Sequence, residues 1–264
     1  MVERNGVTTA QAARSESHRQ DAARVTRGSR RLKSALVTGG TRGIGQAIAE
    51  ELTRAGLRVL VTGTAGSGRG PRGATYHACD FSDEAALERF AREVAAWKLD
   101  ILVNNAGINR IGELSKYRTD DFEQIQRVNV TAPFVLCRAV VPGMQQRRFG
   151  RIVNITSIYG NVSRAGRSAY STSKFGLFGL TRALALEVAS YNVLVNCLAP
   201  GFVETDMTRT ILGKQGMAEM AAQVPMKRMA RPEEIARYVR FLVSDENTYM
   251  TGQQVIVDGG FTCA

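Results

Sequence analysis

A chain of 264 residues with 44% hydrophobic and 22% charged side chains can bury a substantial core as one α/β domain. No apolar run approaches the roughly 20 residues of a membrane span, and two histidines, His18 and His77, are too few for a His-based metal site, so no metal is expected. The four cysteines (Cys79, Cys137, Cys197 and Cys263) lack metal-ligand spacing and the framework of a small secreted fold, and predict inert thiols in a reducing, cytoplasmic compartment.

The net charge of +11 is unevenly held: residues 1–33 carry eight Lys/Arg and three acidic residues, a net of +5, which leaves +6 for the remainder. Nucleic-acid binders concentrate charge in a basic stripe or a known module. The dispersed charge here points instead to a solvated surface, or to modest attraction for acidic small molecules or an acidic carrier protein. Residues 1–33 also lack a hydrophobic period and read as a disordered arm. They hold no apolar core of a secretory signal, and Glu3, Glu16 and Asp21 argue against an organelle transit peptide.

From Ser34 onward, strands alternate with helices. An apolar run at 35–38 ends in the glycine-rich segment 39–45, after which Ile44, Ala47, Ile48 and Leu52 recur at helical spacing up to Gly56. Strands are expected at 58–62 and 75–79, then a helix capped by Ser82 and running to about Trp97. A fourth strand at 101–105 precedes a long helix over 119–141, in which Pro133 predicts a kink. Strand five covers 152–156, a helix 169–189, and strand six 193–198. Residues 202–230 show no clean strand and could close over a ligand. Pro232 opens the last helix and 254–257 forms strand seven. Near-continuous apolar strands alternating with helices predict an α/β fold with a doubly wound, seven-stranded parallel sheet covered on both faces.

The glycine segment Gly39-Gly40-Thr41-Arg42-Gly43-Ile44-Gly45 follows a strand and opens a helix, the context of a dinucleotide site. Glycines there let backbone amides approach a pyrophosphate at the helix N-terminus. An NAD site usually offers a carboxylate at the end of strand two. Here that place reads Thr62-Gly63-Thr64-Ala65, with Arg42 in the glycine loop and Arg69 and Arg72 close behind. This favours a 2′-phosphate, hence NADP(H) over NAD(H). Asp80 would either meet the adenine edge or cap the next helix. Asn104-Asn105-Ala106-Gly107 ends strand four, where ligands gather in such sheets. Asn129, inside an apolar helical run, suggests a buried polar task.

Ser157, Tyr170 and Lys174 carry the chemistry. Tyr170 and Lys174 stand four residues apart and share one helix face. A nearby ammonium favours the phenolate, and working near neutral pH needs a fall of roughly 3 units in the phenol pKa. Chance supplies about 0.16 such Tyr–Lys pairs in a chain of this composition, so the pair alone is weak.

Taken together, Thr38-Gly39-x3-Gly43-Ile44-Gly45, Asn104-Asn105-Ala106-Gly107, Asn129, Ser157, Tyr170-x3-Lys174, and Pro200-Gly201 with Thr205 resemble the short-chain dehydrogenase/reductase superfamily across residues 34–261. Within it the chain looks most like the 3-oxoacyl-[acyl-carrier-protein] reductases, through the segments 151–155, 199–208 and 251–253. The resemblance implies strand order 3-2-1-4-5-6-7, a homotetramer, and NADPH-dependent reduction of a 3-oxoacyl thioester. It implies a cofactor site drawn from the 39–45 loop, Thr64, Asp80, Phe81, Asn105, Ala106, Gly107, Tyr170, Lys174, Pro200, Gly201, Val203 and Thr205. Tyr170 would be the acid/base, Ser157 a hydrogen-bond donor to the substrate carbonyl, Lys174 a ribose ligand and tuner of Tyr170, and Asn129 the holder of a water joined to Lys174.

Two departures stand out. The 64–80 connection is short and lacks the helix this family normally has there. Arg148 fits one of two basic positions for docking an acyl carrier protein, but Tyr191 occupies the other. Another small ketone or secondary alcohol remains the competing substrate class, and a catalytically silent NADP-binding sensor the competing function.

Overall fold

The computed structural model describes residues 31–264, apart from the side chains of Met207 and Ile211; the expected N-terminal arm lies largely outside the described residues. Seven strands, β1 (Ser34–Val37), β2 (Arg58–Gly63), β3 (Ala74–Ala78), β4 (Ile101–Asn104), β5 (Gly150–Ile155), β6 (Val193–Pro200) and β7 (Gln254–Val257), form one sheet in the order β3-β2-β1-β4-β5-β6-β7. Every pairing is parallel, with Leu36 opposite both Leu60 and Leu102, and Val153 opposite Asn196. β1, β4, β5 and β6 are buried along their whole length, because helices cover both faces and leave no solvated side to alternate toward.

One face packs Leu36, Leu102 and Ile152 against α2 (Glu84–Ala96), α4 (Ala132–Arg147) and α5 (Ser168–Val188), through Phe90, Leu136 and Val188. The other packs Val37, Val103 and Val153 against α1 (Gly43–Arg54) and α7 (Pro232–Val243), through Ile48, Leu52, Ile235 and Val239. Among the described residues no helix is long and apolar enough to cross a membrane.

The structure corrects two expectations. The 119–141 helix is in fact α3 (Thr119–Gln126), a π-helical turn at Arg127–Thr131, and α4, which runs on to Arg147. Pro133 lies in the first turn of α4, where a missing N–H costs little, so the irregularity is the π turn rather than a proline kink. α2 is capped by Asp83, whose carboxylate accepts from Ala86 N at 3.1 Å; Ser82 instead bonds Asp80 through its N–H (2.9 Å) and hydroxyl (2.7 Å). The 202–230 stretch, expected to hold no clean strand, contains none and forms a helix, α6 (Asp206–Gln223), broken at Gly213 (φ 63°).

The missing helix between β2 and β3 is confirmed. Residues 64–73 form a loop that folds onto Tyr76, whose hydroxyl donates to the Ala65 carbonyl. A Cβ at Gly68 would meet the Tyr76 ring at 2.6 Å, so only glycine lets the loop lie this close.

Candidate active site

The expected site residues follow the C-terminal ends of the strands. After β1, Thr38 ties two loops together: its hydroxyl accepts the N–H groups of Asn105 (2.9 Å) and Ala106 (3.0 Å) from the segment after β4. Asn105 returns its amide N–H to the carbonyls of Thr38 (2.9 Å) and Gly39 (3.1 Å). The Thr62 hydroxyl accepts from Gly39 N at 3.0 Å. Gly39 takes φ 62°, in the left-handed region that glycine enters without steric cost. At Gly45 a Cβ would stand 2.2 Å from the Gly39 carbonyl oxygen. The turn therefore favours glycine at both positions, by its backbone angle at Gly39 and by close backbone approach at Gly45.

This loop feeds α1, whose first turn carries no acidic residue and whose N-cap, Arg42, is exposed. The free amides and positive end of α1 suit an anion, so Gly39, Gly40, Thr41, Arg42, Gly43, Ile44 and Gly45 fit a dinucleotide pyrophosphate. Thr205, the N-cap of α6, comes to the same place, its Cγ2 3.4 Å from where a Gly43 Cβ would be. Val203 bridges Ala230 in parallel, and Gly201 N donates to Val257 O at 2.9 Å. Pro200 and Gly201 thus set the departure of α6 from the sheet. Thr64 and Asp80 lie exposed after β2 and β3, whereas Phe81 is buried in the core. Arg69 and Arg72 are exposed on the 64–73 loop.

Between β4 and β5, buried Asn104 donates to Asn154 at 2.8 Å, and Asn154 to the Thr181 hydroxyl on α5 at 2.7 Å. Asn129 lies fully buried within the π turn. Its amide donates to Ile108 O (3.0 Å) and the Ser173 hydroxyl (3.0 Å), and its oxygen accepts from Ile108 N (2.9 Å). These bonds pin the segment following Gly107. The Asn129 oxygen and the Lys174 ammonium both approach Gly107, at 3.3 and 3.5 Å from the position of a Cβ.

Ser157 follows β5 and is buried. Its hydroxyl oxygen accepts from Tyr159 N at 3.2 Å, capping a short 3₁₀ turn and leaving the O–H able to donate elsewhere. Tyr170 and Lys174 sit in the first two turns of α5. The Lys174 Nζ lies 5.5 Å from the centre of the Tyr170 ring and donates to Ile155 O at 2.9 Å. Lys174 is only 3% exposed, and burial lowers its pKa to about 8.

The electrostatics of Tyr170 differ from the expectation. Burial pushes the phenol above its usual value; the Ser157 hydroxyl and the Arg167 guanidinium oppose that rise. The Arg167 guanidinium favours the phenolate, while burial works against both the phenolate and the Lys174 charge beside it. Arg167 and Tyr159 escaped the sequence reading because neither belongs to a periodic pattern. Thr38 was legible as part of the glycine motif, but its role as a clamp was not.

A family model described as enoyl-(acyl carrier protein) reductase matches residues 39–262. The 3-oxoacyl-[acyl-carrier-protein] reductase of Vibrio cholerae is 42% identical over 238 residues, covering 86% of this chain and 96% of that protein. The one from Pseudomonas aeruginosa is 43% identical over 241 residues, with the same shares. Among solved structures, a protein from Beutenbergia cavernae proposed to be an NAD(P)-dependent gluconate 5-dehydrogenase, with NADP bound at low occupancy, superposes with a TM-score of 0.82 and 36% identity. It covers 88% of this chain and 97% of its own. ElxO with NADP bound gives a TM-score of 0.81 at 26% identity, covering 88% and 100%. With the sheet order, the glycine loop and the Ser157/Tyr170/Lys174 cluster all in place, the chain belongs to the short-chain dehydrogenase/reductase superfamily, among relatives of the 3-oxoacyl-[acyl-carrier-protein] reductases.

Proposed function

We propose that this protein reduces a 3-oxoacyl thioester to its 3-hydroxyacyl form with NADPH. The observation that carries the reading is the meeting of Ser157, Tyr170 and buried Lys174 at the strand ends that also hold the glycine loop. The named activity of the relatives supports the thioester, and NADP in the solved neighbours supports the cofactor. So does the lack of a carboxylate in Thr62-Gly63-Thr64-Ala65 beside exposed Arg42.

When bound, the reduced dinucleotide supplies a hydride to the carbonyl carbon. Tyr170 gives its proton to the carbonyl oxygen, and a phenol kept protonated by burial is suited to act as the acid in this direction. Ser157 donates its free O–H to the same oxygen as charge develops. Lys174 would hold ribose hydroxyls, and a polar partner there would favour its charged form and so the later phenolate. Asn129 fixes the π turn through its side chain, so a water joined to Lys174 would meet its backbone instead. Thr64, Asp80 and the Asp80–Phe81 backbone would hold the adenosine end of the dinucleotide. Asn105, Ala106, Gly107, Pro200, Gly201, Val203 and Thr205 line the remaining cofactor path.

The active form is a homotetramer in the cytoplasm, where four free cysteines, three of them buried, stay reduced. Exposed Arg148, whose guanidinium donates to Ser190 O at 3.0 Å, supplies one cation for an acidic acyl carrier, and half-exposed Tyr191 adds no second. Residues 1–30 are dispensable for the reaction.

NADPH oxidation with acetoacetyl-CoA and with a carrier-linked acetoacetyl group, repeated with NADH and after deletion of residues 1–30, tests this reading. Turnover of both thioesters, with a higher kcat/KM for NADPH and little effect of the deletion, is expected. Failure with both thioesters while cyclic ketones are reduced would move the assignment to another carbonyl class.

A further inference from the structure

The crossover from β2 to β3 leans on one side chain, Tyr76. Residues 64–73 include Gly66, Gly68, Gly70 and Gly73, and glycine loses more backbone freedom on ordering than any other residue. A loop of this composition keeps one shape only where something anchors it. Among the described residues, two hydrogen bonds hold it. Pro71 O accepts from Ala74 N at 2.9 Å, where the chain enters β3, and Ala65 O accepts from the Tyr76 hydroxyl, just after β2.

Tyr76 also reaches the glycine turn. β3 pairs Tyr76 with Val61 and Ala78 with Gly63. At Gly63 a Cβ would meet the Tyr76 ring at 2.9 Å, and the Tyr76 hydroxyl and Thr41 Cγ2 both at 3.1 Å. The phenol and the residue preceding Arg42 therefore flank one point at the end of β2. Gly68 closes on the same ring, with its Cβ position 2.6 Å away. Gly40 N donates to Thr62 O at 3.1 Å, which ties the glycine turn to the strand from which Thr64 and Ala65 depart. Residues 53–79 contain no Asp or Glu, and the charges on the loop are those of exposed Arg69 and Arg72.

We propose that Tyr76 is a positioning residue for the 2′-phosphate end of NADP(H). By holding the Ala65 carbonyl it sets Thr64 and the arginine-bearing loop against the glycine turn and Arg42, in place of the helix that this crossover lacks. Tyr76 touches no reacting atom and acts through the loop. Without its hydroxyl a smaller fraction of molecules has the loop set, and the apparent affinity falls by that fraction. The cost falls on NADPH rather than NADH, because only NADPH carries the phosphate that the loop meets. The inference rests on the NADP(H) preference and is independent of the substrate.

The test measures dissociation constants of NADPH and NADH by fluorescence titration in wild type, Tyr76→Phe, Gly68→Ala and the double variant, with adenosine 2′,5′-bisphosphate and AMP as competitors. Tyr76→Phe keeps the ring under Gly68 and removes only the bond to Ala65. It should weaken NADPH by about three- to tenfold, the worth of one hydrogen bond, and NADH by less than about twofold. The bisphosphate should follow NADPH, and AMP should follow NADH. Gly68→Ala drives a Cβ into the same ring and should act likewise, with the double variant no weaker than the worse single one, since both break one contact. Hydrogen exchange over residues 65–73, without nucleotide, should be faster in Tyr76→Phe than in wild type. Unchanged NADPH affinity in folded Tyr76→Phe overturns the proposal while sparing the NADPH preference. Equal losses for NADPH and NADH overturn it too, because a merely structural role weakens both. Wild type binding NADH as tightly as NADPH would remove both the proposal and the preference.

Discussion

Lys174→Met should stabilise the cofactor-free protein while abolishing its reductase activity. Burial lowers the lysine pKa from 10.5 to about 8. At about 1.4 kcal/mol per unit, holding the protonated ammonium costs the folded chain about 3 kcal/mol relative to the unfolded one. Methionine keeps a flexible side chain of similar length and removes the charge. The Ile155 carbonyl loses the donor it had at 2.9 Å, which gives back about 1 kcal/mol or somewhat more. A net gain of about 1–2 kcal/mol near pH 7 remains. The pH dependence fixes the cause. Between pH 8 and 10.5 the unfolded wild-type chain binds the lysine proton and the folded chain does not, so wild-type stability rises with pH there. The advantage of the variant should therefore be full below pH 8 and fade toward pH 10.5. Urea unfolding of both proteins from pH 6.5 to 10, without nucleotide, measures it. A variant less stable than wild type at pH 7, or a difference independent of pH, would refute the argument that this charge is buried at a cost.

Other outcomes follow from the loops around the glycine turn. Gly45→Ala drives a Cβ to 2.2 Å from a backbone oxygen; a loss of about 1–3 kcal/mol in urea unfolding is expected, with weaker NADPH binding by fluorescence titration. Thr38→Val leaves the N–H groups of Asn105 and Ala106 without their acceptor and should cost about 1–3 kcal/mol, whereas Thr38→Ser should stay close to wild type. Arg42→Gln should lower the NADPH-to-NADH ratio of kcat/KM by about tenfold, and an unchanged ratio would exclude Arg42 as the 2′-phosphate ligand.

Much of the fold was legible because strands buried on both faces leave continuous apolar runs, as in Ile101-Leu102-Val103. What escaped has physical reasons. The π turn at Arg127–Thr131 keeps an apolar helical pattern while shifting its hydrogen bonds by one residue, which spacing does not register. α6 carries a weak apolar face and a break at Gly213, so no helical period marks it in the sequence. In the site, the four-residue step from Tyr170 to Lys174 is a helical regularity and could be read directly. The sign of the Tyr170 shift could not, because it depends on how completely α5 and the 3₁₀ turn at Ile158–Gly160 cover the phenol. Arg167 stands just before the helix, where no period marks it, and its bearing on Tyr170 emerges only once the Gly166 turn is formed.

The central claim, that Tyr170 gives the proton in a hydride transfer at this site, is tested most directly by Tyr170→Phe in the oxidation of NADPH by acetoacetyl-CoA. The account predicts that kcat falls by about 10²–10⁴-fold while the affinity for NADPH, measured by fluorescence titration, stays close to wild type. Turnover near the wild-type rate in a variant that still binds NADPH would contradict it.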